Sequence, residues 1–276
     1  MAEELIVSVD YAPRAQFEPF HGRRQRYGCI VAHRRCGKTV ACVADLVLKA
    51  LDNPRRKPRY AYIAPLYKQA KDVAWPYLKE FVSGLGRYAA VSETELRVTL
   101  PNESSIRLYG ADNPDTLRGI YLDGVVLDEY ALIDPRLWPE VIRPALADRE
   151  GAAVFIGTPR GRDAFYRIWR EAQKDPDTWF AAMLRASETG ILPDAELMQA
   201  RGQMSRAQYA REFECSFDEP EADQFIPATI VEAALGRDAP ALGPRVIGGD
   251  VARFGDDRSV ILQRNGDRVI DVETYR

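Results

Sequence analysis

One segment of this chain, residues 31–39, reads Val31-Ala32-His33-Arg34-Arg35-Cys36-Gly37-Lys38-Thr39. The apolar run 27–31 precedes it and the amphipathic segment 40–51 follows, so a strand is predicted to turn into a helix here. In a phosphate loop, Gly-x-x-x-x-Gly-Lys-Ser/Thr, backbone N–H groups surround the phosphates, lysine reaches their β and γ oxygens, and the hydroxyl binds Mg²⁺. Gly37, Lys38 and Thr39 fit that template, whereas Ala32 replaces its first glycine. A basic helix cap stays open as the alternative.

The composition bounds the class of protein. With 276 residues, of which 46% are hydrophobic and 29% charged, the chain has room for one large globular domain and part of a second. Its formal net charge is only −3. A mildly acidic chain does not coat nucleic acid passively, so contact with DNA must come from a local basic patch.

The compartment is predicted from the N-terminus and the cysteines. Residues 1–10 are acidic and lack the basic start and apolar core of a signal peptide. No run approaches the ~18 apolar residues that a membrane span needs, so the prediction is a cytosolic protein without membrane association. The four cysteines lack paired spacing and the chain has 2 histidines, which favours reduced, structural thiols over a zinc site.

Two stretches near the loop each have a functional and a neutral interpretation. Gln16 lies in residues 7–20, which are predicted to be extended because two prolines interrupt them. Its amide either hydrogen-bonds an adenine edge or is a solvated loop group. Residues 53–59 form a basic turn, with Arg55, Arg56 and Lys57, that either contacts a DNA backbone or is solvated surface.

The strand-then-helix pattern recurs after this turn. The apolar run 59–64 predicts a strand, and residues 66–85 predict a helix because their apolar side chains recur at helical spacing. Residues 95–109 alternate polar and apolar side chains around Pro101-Asn102-Glu103, which is typical of a hairpin with one solvated face. We expect this insertion at the edge of the sheet.

An acidic pair follows the next apolar run. Residues 124–127 predict a strand buried on both faces, and Asp128 and Glu129 lie at its C-terminal end, where open α/β sheets bind ligands. Asp128 could hold Mg²⁺, and Glu129 could orient and deprotonate an attacking water. Adjacent acids are common by chance, but together with Gly37-Lys38-Thr39 they predict an ATPase.

Another buried strand, residues 152–156, ends in Gly157-Thr158-Pro159-Arg160-Gly161, and residues 161–172 are predicted to be a helix. Thr158 then lies at the same sheet edge as the acidic pair. Its hydroxyl could sense the γ-phosphate or the attacking water and pass that state to Arg160. A capping threonine in a tight turn is the alternative.

In this order, the motifs resemble the large terminase subunit of tailed bacteriophages, a family that packages viral DNA into a preformed capsid. The resemblance rests on Gln16, the loop 33–39, Leu117-Arg118-Gly119, Asp128-Glu129 and residues 157–161. It extends through residues 205–217, which include Gln208, Phe213, Glu214 and Phe217. The family's phosphate loop often departs from the general template at its first position. The resemblance implies an ASCE-type P-loop NTPase: an α/β fold with a mostly parallel sheet flanked by helices.

The resemblance also implies roles for individual residues. The predicted nucleotide-binding residues are Gln16, Arg35, Cys36, Gly37, Lys38 and Thr39. Thr39 and Asp128 hold Mg²⁺, Glu129 is the catalytic carboxylate, and Thr158 belongs to the coupling motif. Two arginines compete for the finger that stabilises the transferred phosphate: Arg34 on its own nucleotide, or Arg118 in a neighbouring subunit's site. We favour Arg118 acting in trans, with Arg34 as a nucleotide sensor.

The C-terminal part of the sequence predicts a second fold. An acidic, helix-breaking stretch after Phe217 is followed by a short helix over 227–235 and a flexible segment. Strands are predicted over 245–249, 259–264 and 268–275, with Asn265-Gly266 marking a tight hairpin. This pattern resembles the start of the ribonuclease H-like nuclease of large terminases. By that resemblance Asp250 is the first acid of a two-metal site for Mg²⁺ or Mn²⁺. Asp257 is a weaker candidate, because an acidic hairpin turn would look the same.

These assignments divide the chain into an ATPase domain, residues 1–217, a linker, residues 218–243, and an incomplete nuclease segment, residues 244–276. A two-metal nuclease needs further carboxylates from later elements. We therefore expect a fragment or truncated product with an essentially complete ATPase and an inactive nuclease.

The implied partners are double-stranded DNA, the small terminase subunit and the capsid portal. The family further implies a homo-oligomeric ring, or a monomer in isolation, in the host cytoplasm and transiently docked on the procapsid.

One alternative function is that of a helicase-like P-loop motor, although helicases usually carry a second ATPase-like core in the same chain. The other is a non-catalytic, nucleotide-gated scaffold for capsid assembly, which would not need Glu129 beside Asp128.

Overall fold

A computed structural model describes residues 9–218, 228–235, 237–252 and 258–275 of the chain. The chain separates into two units, Met1–Asp223 and Gln224–Arg276. This division falls inside the predicted linker, whose bounds of 218–243 stay a prediction. In the described part of the chain, no helix is long and apolar enough to cross a membrane.

The first unit contains eight strands and nine α-helices in the described residues. Its strands are β1 (Tyr27–Ala32), β2 (Arg59–Ala64), β3 (Ala90–Ser92), β4 (Arg97–Thr99), β5 (Ser105–Gly110), β6 (Gly124–Leu127), β7 (Ala152–Gly157) and β8 (Trp179–Leu184). Its helices are α1 (Glu18–His21), α2 (Lys38–Asp52), α3 (Tyr67–Gln69), α4 (Trp75–Ser83), α5 (Arg143–Ala145), α6 (Ala164–Lys174), α7 (Ala186–Thr189), α8 (Asp194–Gln203) and α9 (Arg206–Glu212).

The strands form one sheet in the order β3-β4-β5-β2-β6-β7-β1-β8. From β5 to β8 every neighbouring pair is parallel. All residues of β1 and β6 are buried, because helices cover both faces of a parallel sheet. The predicted α/β fold with a mostly parallel sheet is confirmed.

The hairpin insertion lies where the alternating pattern predicted it. Strands β4 and β5 pair antiparallel around the turn at Pro101-Asn102-Glu103, and β3 extends them as the outermost strand. In β5 the side chains of Ile106 and Leu108 are buried, whereas those between them are half-exposed. The helix predicted over residues 66–85 is also present, over residues 67–83, as a continuous segment in which a π-helical stretch, Ala70–Ala74, joins α3 to α4.

Two sequence-based assignments in the first unit are wrong. Residues 7–20 are predicted to be extended, but Ala15–Phe17 forms a 3₁₀ turn and Glu18–His21 forms α1, because Pro19 is tolerated in a first helical turn and Phe17 and Phe20 bury their rings in the core. Helix α6 begins at Ala164 rather than at residue 161. The Asp163 carboxylate accepts hydrogen bonds from the N–H groups of Phe165 and Tyr166 and so caps the helix there.

The second unit contains α10 (Ala228–Leu235) and three strands, β9 (Arg245–Asp250), β10 (Ser259–Asn265) and β11 (Arg268–Tyr275). The strands pair antiparallel in the order β11-β10-β9. The hairpin turn consists of Gly266 and Asp267, one residue later than predicted. Asp250 ends β9 and is exposed, whereas Asp257 lies outside the described residues. The ribonuclease H-like assignment stays a prediction.

Candidate nucleotide site

The phosphate-loop segment connects the buried end of β1 to the first turn of α2. Gly37 precedes α2 with φ +96°, a left-handed conformation that a side chain would strain. A Cβ at this position would also lie 3.4 Å from Arg14 Nη1. That guanidinium donates to the Cys36 carbonyl oxygen at 2.7 Å. Arg14 therefore supports the loop from a part of the chain in which the sequence had indicated only Gln16.

Two predicted site residues, Glu129 and Thr158, contact a third, Lys38. Its Nζ lies 2.9 Å from Glu129 Oε1 and donates to Thr158 Oγ1 at 3.4 Å. The Thr158 N–H in turn donates to Glu129 Oε2 at 3.3 Å. Burial alone would lower the pKa of Lys38, but the neighbouring Glu129 carboxylate outweighs it and leaves that pKa raised. The ammonium is therefore charged and held at the sheet edge.

The sheet topology explains why these residues converge. Strand β7 pairs in parallel with both β1 and β6, with Val31 opposite Gly157 and Leu127 opposite Phe155. The C-terminal ends of the three strands therefore lie side by side. The residues that follow these ends carry the loop, the acidic pair and the Thr158 turn. The sequence prediction that they share one edge is confirmed.

Glu129 has a strained backbone. Its φ and ψ are +45° and +49°, a left-handed conformation that non-glycine residues adopt rarely. Gly157 permits the close approach, since a Cβ there would lie 3.3 Å from Glu129 Cα. The conformation costs of the order of 1 kcal/mol and turns the carboxylate towards Lys38 and the Thr158 N–H.

Asp128 is buried and has a protein donor at each carboxylate oxygen. The Tyr62 hydroxyl donates to Oδ2 at 2.6 Å, and the Glu129 N–H donates to Oδ1 at 2.9 Å. Burial, with the Glu129 charge adding to it, raises the pKa of Asp128 to about 6. Tyr62 thus contacts one of the two oxygen groups predicted to hold Mg²⁺, the Asp128 carboxylate.

These donors fit a magnesium ion. Mg²⁺ prefers oxygen ligands and binds nucleotide sites through one or two carboxylates together with substrate phosphates and water. The Thr39 hydroxyl and the Asp128 carboxylate supply such oxygens. Within the described ranges, no group of three or more His, Cys, Asp or Glu side chains could hold a metal ion by itself. A metal at this site would therefore depend on phosphate oxygens as well.

A second set of contacts ties the loop to the segment that contains α7 and α9. His33 is fully buried, with Nδ1 at 2.6 Å from the Arg34 carbonyl oxygen and Nε2 at 3.0 Å from Thr189 Oγ1. The Gln16 amide donates to the Thr189 carbonyl oxygen at 2.7 Å. The Arg34 guanidinium pairs with the Glu212 carboxylate. Gln16 and Arg34 thus both contact this segment, and their predicted roles towards a nucleotide stay predictions.

The remaining predicted residues occupy different surroundings. Arg118 is exposed, and its Nε donates to Asp115 Oδ1 at 3.2 Å rather than to a residue of the loop. Arg35 is exposed in the loop with φ +66°. Cys36 is fully buried, and burial raises the pKa of its thiol, so it packs as a small apolar group. In the basic turn, Arg55 contacts the Arg149 carbonyl oxygen.

Sequence reasoning missed several residues of this site: Arg14, Tyr62, His33 as a buried group, Thr189 and Glu212. Tyr62 offered a signal, because an aromatic residue with a polar tip inside a buried strand usually has a hydrogen-bond partner. For Thr189 and Glu212 the sequence offered no pattern, since their partners lie 156 and 178 residues away. All four cysteines are buried and free, as predicted.

Comparison with known proteins gives one family. The family model described as terminase large subunit, T4likevirus-type, N-terminal, matches residues 29–231. The terminase large subunit of Thermus phage G20c is 31% identical over 175 residues, which cover 55% of this chain and 35% of that protein. The chain thus spans about a third of the length of this curated relative.

Two solved structures share the fold. The large terminase ATPase domain of Thermus phage P74-26 matches with a TM-score of 0.66 at 23% identity, covering 76% of this chain and 95% of that domain. The large terminase of a second thermophilic bacteriophage, solved in complex with ATP-γ-S, matches with a TM-score of 0.56 at 16% identity, covering 92% of this chain and 64% of that one. The fold is therefore that of a P-loop ATPase domain. Since the family model covers well over half of its residues, the chain belongs to the terminase large subunit family, of which it contains the N-terminal domain.

Proposed function

We propose that this chain is the ATP-hydrolysing motor subunit of a viral terminase that moves double-stranded DNA into a procapsid. The observation that carries the proposal is the cluster at the sheet edge, where Lys38 lies 2.9 Å from Glu129 and Thr158 contacts both. A phosphate loop, a carboxylate base and a hydroxyl sensor are the parts that ATP hydrolysis requires. Membership of the terminase family supports the link to DNA packaging.

The mechanism follows from the positions of these groups. The loop N–H groups and Lys38 bind the triphosphate, and the Thr39 hydroxyl and Asp128 would hold its Mg²⁺. When bound, the metal supplies positive charge that neutralises the phosphate oxygens during transfer. Glu129 orients the attacking water and accepts its proton. Because Lys38 also contacts Glu129, the incoming γ-phosphate competes with that carboxylate for the ammonium and releases it for catalysis.

Thr158 and the arginines complete the cycle. Thr158 contacts both Lys38 and Glu129, so a shift of either side chain on phosphate binding or release moves the start of the residue 158–161 turn. Arg118 supplies the finger to a neighbouring subunit, and Arg34 senses the nucleotide from within the loop. The exposed position of Arg118 supports action in trans, because the side chain is accessible to a second subunit.

The proposed partners follow from this role. They are double-stranded DNA, the small terminase subunit and the capsid portal. The chain would bind them as a homo-oligomeric ring in the host cytoplasm, and this ring docks on the procapsid. Arg55, Arg56, Lys57 and Arg160 are candidate contacts to the DNA backbone. A helicase-like motor is the second candidate function, and a forked duplex unwound by the chain would favour it over packaging.

The test is ATP hydrolysis by matched variants. Lys38→Ala should lose nucleotide binding and hydrolysis, whereas Glu129→Gln should retain binding and lose hydrolysis by about 10²-fold or more. Glu171→Gln, an exposed carboxylate on α6, is the control and should hydrolyse ATP like the parent chain. Hydrolysis that survives Glu129→Gln would contradict the assignment of the base. A chain that binds ATP without hydrolysing it would point to the nucleotide-gated scaffold.

Nuclease activity is a separate proposal about the second unit. Asp250 is exposed at the end of β9, and the residues described around it do not form a metal-binding group. We therefore expect the 276-residue polypeptide not to cut plasmid DNA with Mg²⁺ or Mn²⁺. Cleavage that disappears in Asp250→Ala would show that this expectation is wrong and that Asp250 is a functional metal ligand.

A further inference from the structure

We propose that Tyr62 is a positioning residue of the nucleotide site, whose hydroxyl orients Asp128 for the Mg²⁺-bound nucleotide. The inference rests on the proposed ATPase function. Tyr62 lies on β2, outside every motif that the sequence singled out, and its side chain is 1% exposed. It acts through its neighbours, not by touching the nucleotide.

The first step of the argument is the orientation of Asp128. The Tyr62 hydroxyl donates to Oδ2 at 2.6 Å, a distance typical of a short, charge-assisted hydrogen bond. The other oxygen, Oδ1, accepts the Glu129 N–H at 2.9 Å. With one donor at each oxygen the carboxylate cannot rotate without losing a hydrogen bond. The remaining lone pairs therefore keep fixed directions in the site.

The second step is the position of the two predicted metal ligands in the fold. Thr39 lies in the first turn of the phosphate-loop helix α2, whereas Asp128 follows β6. The two oxygen groups therefore come from different elements and must meet at one ion. Tyr62, on a third element, fixes the direction of the carboxylate, because its hydroxyl donates to Asp128 Oδ2.

The third step separates this role from simple packing. Tyr60 lies two residues earlier on the same strand and is also buried, but its hydroxyl donates to the Lys49 carbonyl oxygen and accepts from Asn53 Nδ2, both at 2.9 Å. Tyr60→Phe therefore removes the same atom from the same strand without touching the site. Partners that orient metal ligands typically contribute 10- to 100-fold in metal affinity. Of these two tyrosines, Tyr62 is the one whose hydroxyl contacts a predicted metal ligand.

The experiment measures affinity for a fluorescent, non-hydrolysable ATP analogue with Mg²⁺ and with EDTA, for the parent chain, Tyr62→Phe and Tyr60→Phe. We expect Tyr62→Phe to reduce the Mg²⁺-dependent gain in affinity by about 10-fold and to leave the affinity in EDTA unchanged. Tyr60→Phe should match the parent chain in both conditions. Thermal unfolding of each variant verifies that the fold is retained.

Two results would overturn the inference. One is an unchanged Mg²⁺ dependence in a folded Tyr62→Phe. The other is an equal loss in both tyrosine variants, or in EDTA as well, which would identify a general packing effect. If Tyr62→Phe fails to fold, the double variant Tyr62→Phe/Asp128→Asn is compared with Asp128→Asn alone. Because Tyr62 acts through Asp128, the two should show the same Mg²⁺-dependent gain in affinity. A smaller gain in the double variant contradicts the inference. Absence of nucleotide binding by the parent chain would instead refute the proposed function.

Discussion

The Lys38 ammonium lies 2.9 Å from Glu129 Oε1, so the predicted phosphate-binding cation and the predicted catalytic base form one ion pair. Their side chains are 10% and 24% exposed, which places the pair at the floor of an open edge and not deep in the core. In the proposed function, a γ-phosphate at the loop exchanges with Glu129 for the same ammonium. The strength of this pair would then set part of the free-energy cost of nucleotide binding.

The first prediction concerns that competition. Glu129→Gln removes the negative charge that competes for Lys38 and that repels a phosphate, so the affinity for a non-hydrolysable ATP analogue should increase by about 5-fold. Equilibrium titration with a fluorescent analogue measures it, with Glu171→Gln as the matched control. Weaker binding by Glu129→Gln would show that the carboxylate supports the bound nucleotide instead of competing with it.

The second prediction concerns the arginine finger. Arg118→Ala should reduce ATP hydrolysis by ~10³-fold or more, because an arginine at the γ-phosphate contributes this much to phosphoryl transfer. Mixing Arg118→Ala subunits with Glu129→Gln subunits should restore part of the rate, since one supplies the base and the other the arginine.

The control mixture replaces Arg118→Ala by Lys38→Ala. Those subunits have an inactive site of their own, and the Glu129→Gln sites beside them still lack a base, so no recovery is expected. Failure of Arg118→Ala and Glu129→Gln to complement within a demonstrated mixed ring would favour Arg34 acting on its own nucleotide.

The third prediction concerns pH and His33. Because a carbonyl oxygen only accepts, the Arg34 carbonyl assigns the proton of the neutral ring to Nδ1, and Nε2 accepts from Thr189. Burial lowers the pKa of His33 below its ordinary 6.5, although the Arg34 carbonyl opposes the shift. At position 33 the unfolded chain then binds more protons below pH 6.5, so the contribution of His33 to the free energy of unfolding should fall as pH decreases, by at most about 1.4 kcal/mol per pH unit.

His33→Asn lacks this titrating group and should lose less free energy of unfolding over the same pH range. Urea unfolding followed by circular dichroism, at several values from about pH 7.5 to about pH 5.5, measures the difference. Parallel plots of unfolding free energy against pH for the two proteins would mean that the pKa of His33 is the same in the folded and the unfolded chain.

The fourth prediction concerns the close approach of β7 to Glu129. Gly157→Ala places a Cβ 3.3 Å from Glu129 Cα and 3.4 Å from a Phe165 ring carbon. The crowding should destabilise the fold by about 1–3 kcal/mol, and displacement of the carboxylate should slow ATP hydrolysis by about 10-fold or more. Thermal unfolding and steady-state hydrolysis measure the two effects.

Gly202→Ala is the matched control, because it lies in α8 with no atom near the added Cβ. Alanine is a better helix former than glycine, so this variant should be stabilised by about 0.5–1 kcal/mol with unchanged hydrolysis. Equal rates for Gly157→Ala and the parent chain would show that Glu129 tolerates a shifted backbone.

Much of the fold could be predicted from local patterns. The buried runs of β1, β2, β6 and β7 contain consecutive apolar residues, and β5 alternates as a half-solvated strand does. Strand β8 was not predicted, because only Trp179 in it is fully buried and no clear period remains. Helix α1 was missed because Pro13 and Pro19 suggested an extended chain, although a proline is compatible with a first helical turn.

The sequence by itself determined the chemistry of the site: a phosphate loop, an acidic pair and a Thr158 turn, each following an apolar run. Parallel strands place their C-terminal ends at one edge, so these local signals were sufficient to predict that the residues converge. Only the tertiary structure decided what each side chain contacts. The bonds from Tyr62 to Asp128, from His33 to Thr189 and from Arg34 to Glu212 join residues 66 to 178 positions apart. Such contacts depend on how helices and strands pack, and the local periodicity of a sequence carries no record of that packing.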